Sequence, residues 1–155
     1  MKVVIQRVNE ASVEVEENIV GKIQKGLLLL VGVAKGDTAD EAIVLAEKIS
    51  KMRIFEDDNG KMNLSVADIG GSILSVSQFT LCADCRRGNR PDYMNAMPPA
   101  EANDLYEIFN SKLEEKGFIV QKGIFGADMK VSLINDGPVT IILDSNDLKK
   151  SRNEK

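Results

Sequence analysis

Ser77-Gln78-Phe79-Thr80 places two hydroxyls and a carboxamide within four residues, and Cys82-Ala83-Asp84-Cys85 follows almost at once. Arg86, Arg87 and Arg90 come next, and Asn135-Asp136-Gly137-Pro138-Val139-Thr140 stands far downstream. Thr80 can serve as a nucleophile only beside a base, and none lies near it in the sequence. The two cysteines have the spacing of a redox pair or of half a zinc site. A structural zinc site needs four ligands, and no second pair exists. A thioredoxin-type pair opens a helix, whereas here a polar loop follows. The three arginines form either a solvated cluster or a loop that grips phosphates through bidentate guanidinium contacts. Gly137-Pro138 sits between two strand-like runs, although proline cannot donate to a sheet ladder and glycine weakens a strand. The pair either ends one strand and starts the next, or the backbone there has a role of its own.

The chain contains no histidine. The usual general base near neutral pH is therefore missing, as is the commonest metal ligand. Ser-His-Asp and Cys-His mechanisms cannot be built. Any hydrolysis must rely on carboxylates, lysine, backbone dipoles or groups of the substrate itself.

The elements that must position these residues follow from composition and pattern. The 155 residues make one domain, long enough to bury roughly 70% of the unfolded surface. Hydrophobic residues at 43% and charged residues at 28% are ordinary for a soluble globular chain. A net charge of −4 argues against a broad, non-specific nucleic-acid binder but leaves room for a local basic patch. The longest apolar run, Leu27 to Val33, is far short of the ~18 residues of a membrane span. The N-terminus reads as a strand rather than a signal peptide. Two cysteines make no disulfide scaffold, which points to a reducing cytoplasm.

Lys2–Asn9 and Ala11–Glu16 alternate as a strand pair, and Ile19–Gln24 reads as a third strand. Gly26–Val33 is apolar throughout, the pattern of a strand buried on both faces. Asp37 or Thr38 caps a helix to about Met52, with Ala42, Leu45, Ala46, Ile49 and Met52 on one face. Asp57-Asp58-Asn59-Gly60 signals a turn; it resembles a calcium loop but lacks the later glutamate. Ser72–Leu81 reads as a strand in which Ser77 and Phe79 face one way and Gln78 and Thr80 the other. A polar loop from Cys82 to Pro99 leads to a second helix, with Leu105, Ile108, Phe109, Lys112 and Leu113 inward and Gly117 as its stop. Phe118–Ile124, Lys130–Ile134 and Val139–Asp144 follow as strands. Most strand connections are too short for parallel crossovers. The expectation is an α+β domain over residues 1–145, with a curved, mainly antiparallel, barrel-like sheet and two main helices, then a frayed polar tail over 146–155.

Ser77-Gln78-Phe79-Thr80-Leu81 together with Asn135-Asp136-Gly137-Pro138-Val139-Thr140 resembles the paired signature of the D-aminoacyl-tRNA deacylases. The resemblance extends over roughly residues 1–145, including Met1-Lys2-Val3-Val4-Ile5-Gln6-Arg7-Val8 and Arg87-Gly88-Asn89-Arg90-Pro91. It implies a cytoplasmic homodimer that hydrolyses the ester joining a D-amino acid to the terminal adenosine of tRNA, without cofactor or metal. It implies further that Gly137-Pro138 is a cis peptide reaching into the partner's pocket as a gate against L-amino acids, with Arg7 bracing it. Glycine has no side chain to reject, so glycyl-tRNA is expected to enter. The site residues it implies are Ser77, Gln78, Phe79 and Thr80: Ser77 and Gln78 shape the adenosine pocket, and amides near Phe79 and Thr80 stabilise the oxyanion. The substrate's ribose hydroxyl, rather than Thr80 as nucleophile, assists water. The expected partners are the aminoacylated 3′ end of tRNA, met by Arg86, Arg87 and Arg90, and a second copy of the chain; neither membrane nor DNA is expected. Two other readings stay open: a non-catalytic tRNA- or nucleotide-binding module, and a thiol redox protein using Cys82 and Cys85.

Overall fold

Val3, Ile5, Val8, Ala11 and Val13 are all buried along one strand, β1 (Lys2–Val15), where the sequence pattern suggests two. The computed structural model describes residues 1–150. The apolar period of two slips between Ile5 and Val8 and again between Val8 and Ala11. The same places carry register shifts against β8 (Lys130–Asp144). Such irregularities turn the face of a strand without ending it.

β8 is likewise one strand rather than the expected Lys130–Ile134 and Val139–Asp144. Gln6 pairs with Thr140 and Val8 with Asn135, so Asp136 to Val139 leave the ladder as a bulge and pairing resumes beyond them. That is how proline is accommodated in a long strand: its missing donor falls where no ladder bond is required.

β2 (Asn18–Ile23) and β3 (Gly26–Gly32) pair antiparallel with successive stretches of β1. β3 is buried but for Leu30, as its unbroken apolar run predicts. Beyond it lie β6 (Ser72–Ser77) and β7 (Val120–Lys122), both parallel to their neighbours. These two connections are crossovers, because each carries a helix long enough to return the chain, while the pairings of β1 keep the sheet mainly antiparallel as expected. The first is α1 (Ala39–Lys51) and the second α2 (Pro99–Glu115). The sheet order is β2-β1-β3-β6-β7, with β8 also on β1. The ends of this row approach each other. A Cβ on Gly21 of β2 would stand 2.7 Å from the Lys122 carbonyl oxygen of β7, so only glycine permits the near-closed barrel.

Thr38 caps α1 in a capping box with Glu41, and Ala42, Leu45, Ala46 and Ile49 are buried as their spacing predicts. Bonds from Lys149 and Thr38 lower the Glu41 carboxyl to about 2. On α2 the inward stripe is Ala102, Tyr106, Phe109, Asn110 and Leu113. Ile108 is exposed and Lys112 faces Glu47 of α1, which corrects the expected face by part of a turn. Phe109 and Leu113 face in as expected and Leu105 packs partly against the core, joined by Ala102, Tyr106 and Asn110, which a hydropathy reading passes over. Asp57–Gly60 is the expected turn, joining the small strands β4 (Phe55–Glu56) and β5 (Met62–Leu64). The Asp57 carboxylate accepts from the Asn59 and Lys61 amides, at 2.9 and 3.0 Å, and so serves the turn itself. A helical turn, α3 (Ser145–Leu148), stands where the polar tail is expected to fray, and Leu148 packs on the core. Residues 151–155 of that tail lie outside the described residues. Among the described residues no helix is long and apolar enough to cross a membrane.

The β1–β2 hairpin turns on Glu16 and Glu17, with Val15 paired to Asn18. Their φ values of 48° and 66° satisfy a two-residue turn that favours Asn-Gly, yet neither residue suits the left-handed region. The double substitution Glu16→Asn, Glu17→Gly is expected to stabilise the protein by about 1 kcal/mol in urea unfolding, with an unchanged m-value.

Candidate active site

β6 does not continue to Leu81. It ends at Ser77, Gln78 takes φ −147° and ψ 83°, and a 3₁₀ turn runs from Phe79 to Cys82. The alternation expected for Ser77 to Thr80 is therefore lost. The Gln78 amide donates to the Val31 carbonyl at 2.8 Å, tying this corner to the end of β3. The first bond inside the turn runs from the Leu81 amide to the Gln78 carbonyl at 3.2 Å, so the Phe79 and Thr80 amides have no acceptor within it. The Gln78 side-chain Nε2 donates to the Thr80 hydroxyl. An amide donor cannot take a proton from that hydroxyl, so Thr80 has a holder and no base.

Ser77, Gln78 and Phe79 border a cavity of about 630 Å³. Its other walls come from β3, the 83–98 loop, the start of α2 and the segment from Phe125 to Val131. Tyr93, Met97, Phe125 and Met129 give it an aromatic and thioether lining, and Lys35 adds a cation. Phe79 is 56% exposed and meets the Tyr93 ring edge-on, with centroids 5.1 Å apart. The sequence reading misses these wall residues. The available signal is an aromatic and a methionine, Tyr93 and Met94, in an otherwise polar loop.

Thr80, Arg7, Gly137 and Pro138 do not line this cavity. Arg7 is 5% exposed, and the slip in β1 turns it inward. Its Nε donates to the Asp136 carbonyl at 3.0 Å and its Nη1 to the Ile54 carbonyl at 2.8 Å. The Asp136 carboxylate lies 3.6 Å from the same Nε. Within the bulge the Val139 amide donates to Asn135 Oδ1, and Asn135 Nδ2 donates to the Thr140 hydroxyl, each at 2.9 Å. Gly137 and Pro138, joined by a cis peptide, are exposed at the tip of this braced base.

Arg86, Arg87 and Arg90 are exposed on the 83–98 loop, which paired bonds between Asp84 and Asp92 pinch together at 2.7 and 2.9 Å. Arg86 grips Asp84 with two nitrogens, and that bond lowers the Asp84 carboxyl to about 2. None of the three lines the cavity. Cys82 and Cys85 are both free. Cys82 is buried against the Val33 carbonyl, and burial pushes its thiol up, the reverse of what a thiol–disulfide catalyst needs. Among the described residues no cluster of three or more Cys, Asp or Glu side chains can hold a metal ion.

Residues 4–144 match the model of the family described as D-Tyr-tRNA(Tyr) deacylase. The chain belongs to this family. A D-aminoacyl-tRNA deacylase of Geotalea daltonii is 61% identical over 145 residues, covering 94% of this chain and 97% of its own. One of Lactobacillus delbrueckii subsp. bulgaricus is 59% identical over 144 residues, covering 93% and 99%. Among solved structures, a c-Myc DNA unwinding element binding protein superposes with a TM-score of 0.87 at 42% identity, covering 93% of this chain and 98% of its own. A probable eukaryotic D-amino acid tRNA deacylase superposes with a TM-score of 0.76 at 16% identity, covering 92% and 97%, a likeness of fold alone.

Gly137 has φ 128°, and a Cβ there would meet Arg7 Nη2 and Val139 Cγ2, both at 2.9 Å. Gly137→Ala is expected to destabilise the protein by about 1–3 kcal/mol in chemical denaturation, through left-handed strain and loss of the Arg7 brace.

Proposed function

We propose that this protein is a homodimeric D-aminoacyl-tRNA deacylase that hydrolyses the ester between a D-amino acid and the terminal adenosine of tRNA. The observation that carries the reading is the cavity opening at Ser77, Gln78 and Phe79 in a chain of this family. Residues 1–145 form the deacylase domain, which works in the cytoplasm alongside its tRNA.

The gate is Gly137-Pro138 of the partner subunit's copy of this segment. Two features support a cross-subunit arrangement. The braced tip is exposed and does not line its own chain's cavity. β8, which carries it, pairs with β1 alone, and its outer face exposes Ile134 at 50% and Ile142 at 70%. An unpaired edge with apolar side chains is a surface suited to a second copy.

D and L substrates differ only in the exchange of hydrogen and side chain at one carbon. Backbone carbonyls that fix the substrate ammonium, with rigid backbone where an L side chain would lie, reject the L form without touching the D side chain. Glycine passes such a filter.

Among the described residues no histidine, aspartate or glutamate lines the cavity, and the Thr80 hydroxyl is held by Gln78. Water adds to the ester carbonyl with help from the neighbouring ribose hydroxyl, and the Phe79 and Thr80 amides stabilise the oxyanion. The bond to the esterified ribose oxygen then breaks, that oxygen takes the proton, and free amino acid and tRNA leave.

Turnover of matched D-, L- and glycyl-tRNA tests the function. D and glycyl substrates are expected to be hydrolysed and the L form spared; binding without turnover would leave a non-catalytic module. In the same assay Thr80→Ala is expected to keep substantial activity. A D-substrate whose terminal adenosine lacks the neighbouring hydroxyl is expected to bind and resist. A nucleophilic threonine gives the reverse pair, with losses of orders of magnitude in the mutant.

Arg86, Arg87 and Arg90 are proposed to meet tRNA phosphates. Changing all three to alanine is expected to lower the slope of log affinity against log salt by roughly 0.7–0.9 per lost contact. Turnover on saturating substrate should suffer less than affinity. An unchanged slope would return the cluster to solvent.

A further inference from the structure

β6 reaches the cavity with support on both edges only part of the way. Its ladder with β3 runs to Ser77, but its ladder with β7 stops at Ser75, opposite Lys122. Val76 and Ser77, the last residues before Gln78, have a strand on one side alone. At that boundary the Ser75 carbonyl accepts from the Gly123 amide at 3.3 Å and from the Tyr106 hydroxyl at 2.7 Å.

Tyr106 is at once a wall of the cavity and a buried anchor, with 2% of its surface exposed. Burial pushes its phenol up, so the hydroxyl remains a donor. One helical turn on, Asn110 is fully buried. Neither its Nδ2 nor its Oδ1 has a hydrogen-bond partner among the described residues, and the same holds for Ser75 Oγ. Each such atom disfavours folding, a cost that an apolar side chain of similar size would remove. A polar cluster that disfavours folding, placed behind the floor of a cavity, needs a reason other than stability.

We propose that Tyr106, backed by Asn110 and Ser75, is a positioning residue that pins the end of β6 and so sets the height of the Ser77–Thr80 backbone against the substrate ester. The proposal rests on the deacylase reading above. Catalysis by backbone amides tolerates little displacement, and a misplacement of about 1 Å can cost a hundredfold in rate. The hydroxyl donates to the Ser75 carbonyl, so its effect passes through β6.

The test uses Tyr106→Phe and Asn110→Leu in the full chain. Tyr106→Phe is expected to lower kcat on D-aminoacyl-tRNA about tenfold while KM stays within about twofold. Asn110→Leu is expected to raise the denaturation midpoint and yet lower kcat, opposite movements that a merely structural residue does not produce. Amide hydrogen exchange gives a readout independent of activity. Exchange at Gln78 and Leu81, whose amides are bonded to the Val31 and Gln78 carbonyls, should quicken in Tyr106→Phe while the β1–β3 ladder stays protected. Both variants retaining wild-type kcat with unchanged exchange, or exchange quickened evenly through the sheet, would overturn the proposal. Should the wild type itself leave D-aminoacyl-tRNA intact, the deacylase reading fails, and local exchange alone decides whether Tyr106 pins β6.

Discussion

β1 is hydrogen-bonded along both edges for most of its length, to β8 on one side and to β3 and then β2 on the other. A strand in this position cannot keep one side-chain phase over fourteen residues while its neighbours change. The slips around Val8 resolve the conflict, and in doing so they turn Arg7 into the interior. A buried guanidinium is costly unless its donors are met. Here the Asp136 and Ile54 carbonyls meet two of them, and the Asp136 carboxylate stands 3.6 Å from Nε. The register irregularity of β1 and the braced bulge of β8 are thus one feature seen from two strands. The exposed position of Gly137 and Pro138 follows from it.

The same linkage explains which parts of the fold were legible in the amino-acid sequence. β3 is read directly, because a run buried on both faces needs no phase. α1 is read to within a residue of its cap, with Asp37 and Thr38 both open, and the local capping box of Thr38 and Glu41 decides between them. The sequence pattern divides β1 and β8 each in two, since a phase slip and a Gly-Pro pair are also how strands end. The difference lies in β1–β8 pairing, which is long-range. The 3₁₀ turn at Phe79 replaces a predicted strand for a similar reason. Its residues suit either conformation, and the bond from Gln78 to Val31 decides between them.

The candidate site divides along the same line. Ser77, Gln78, Phe79, Gly137 and Pro138 stand out through composition and order within short segments. The cavity walls do not, because Tyr93, Met97, Phe125 and Met129 come from connections brought together only by the two crossovers. On α2 the hydropathy pattern marks Phe109 and Leu113 as inward but passes over Tyr106 and Asn110, the polar residues beside them. Polar residues on an inward stripe contradict hydropathy, and such contradictions concentrate where a structure serves something besides its own stability.

A chain without histidine, whose hydroxyl at Thr80 is held by an amide, has little scope to tune its chemistry through the pKa of a side chain. What it can control is where backbone dipoles stand. Preorganised amides act because they need not reorganise as charge develops, and their worth falls quickly with displacement. The supports must therefore be stiffer than the parts they hold. Gln78 is tied to β3 through the Val31 carbonyl, Ser75 to α2 through the Tyr106 hydroxyl, and the Gly137 bulge to β1 through Arg7. Each includes a polar contact from a side chain or amide to a main-chain carbonyl at the point where regular pairing gives out. The regular sheet supplies rigidity up to those three points, and the irregular segments that begin there carry the geometry that the proposed reaction would use.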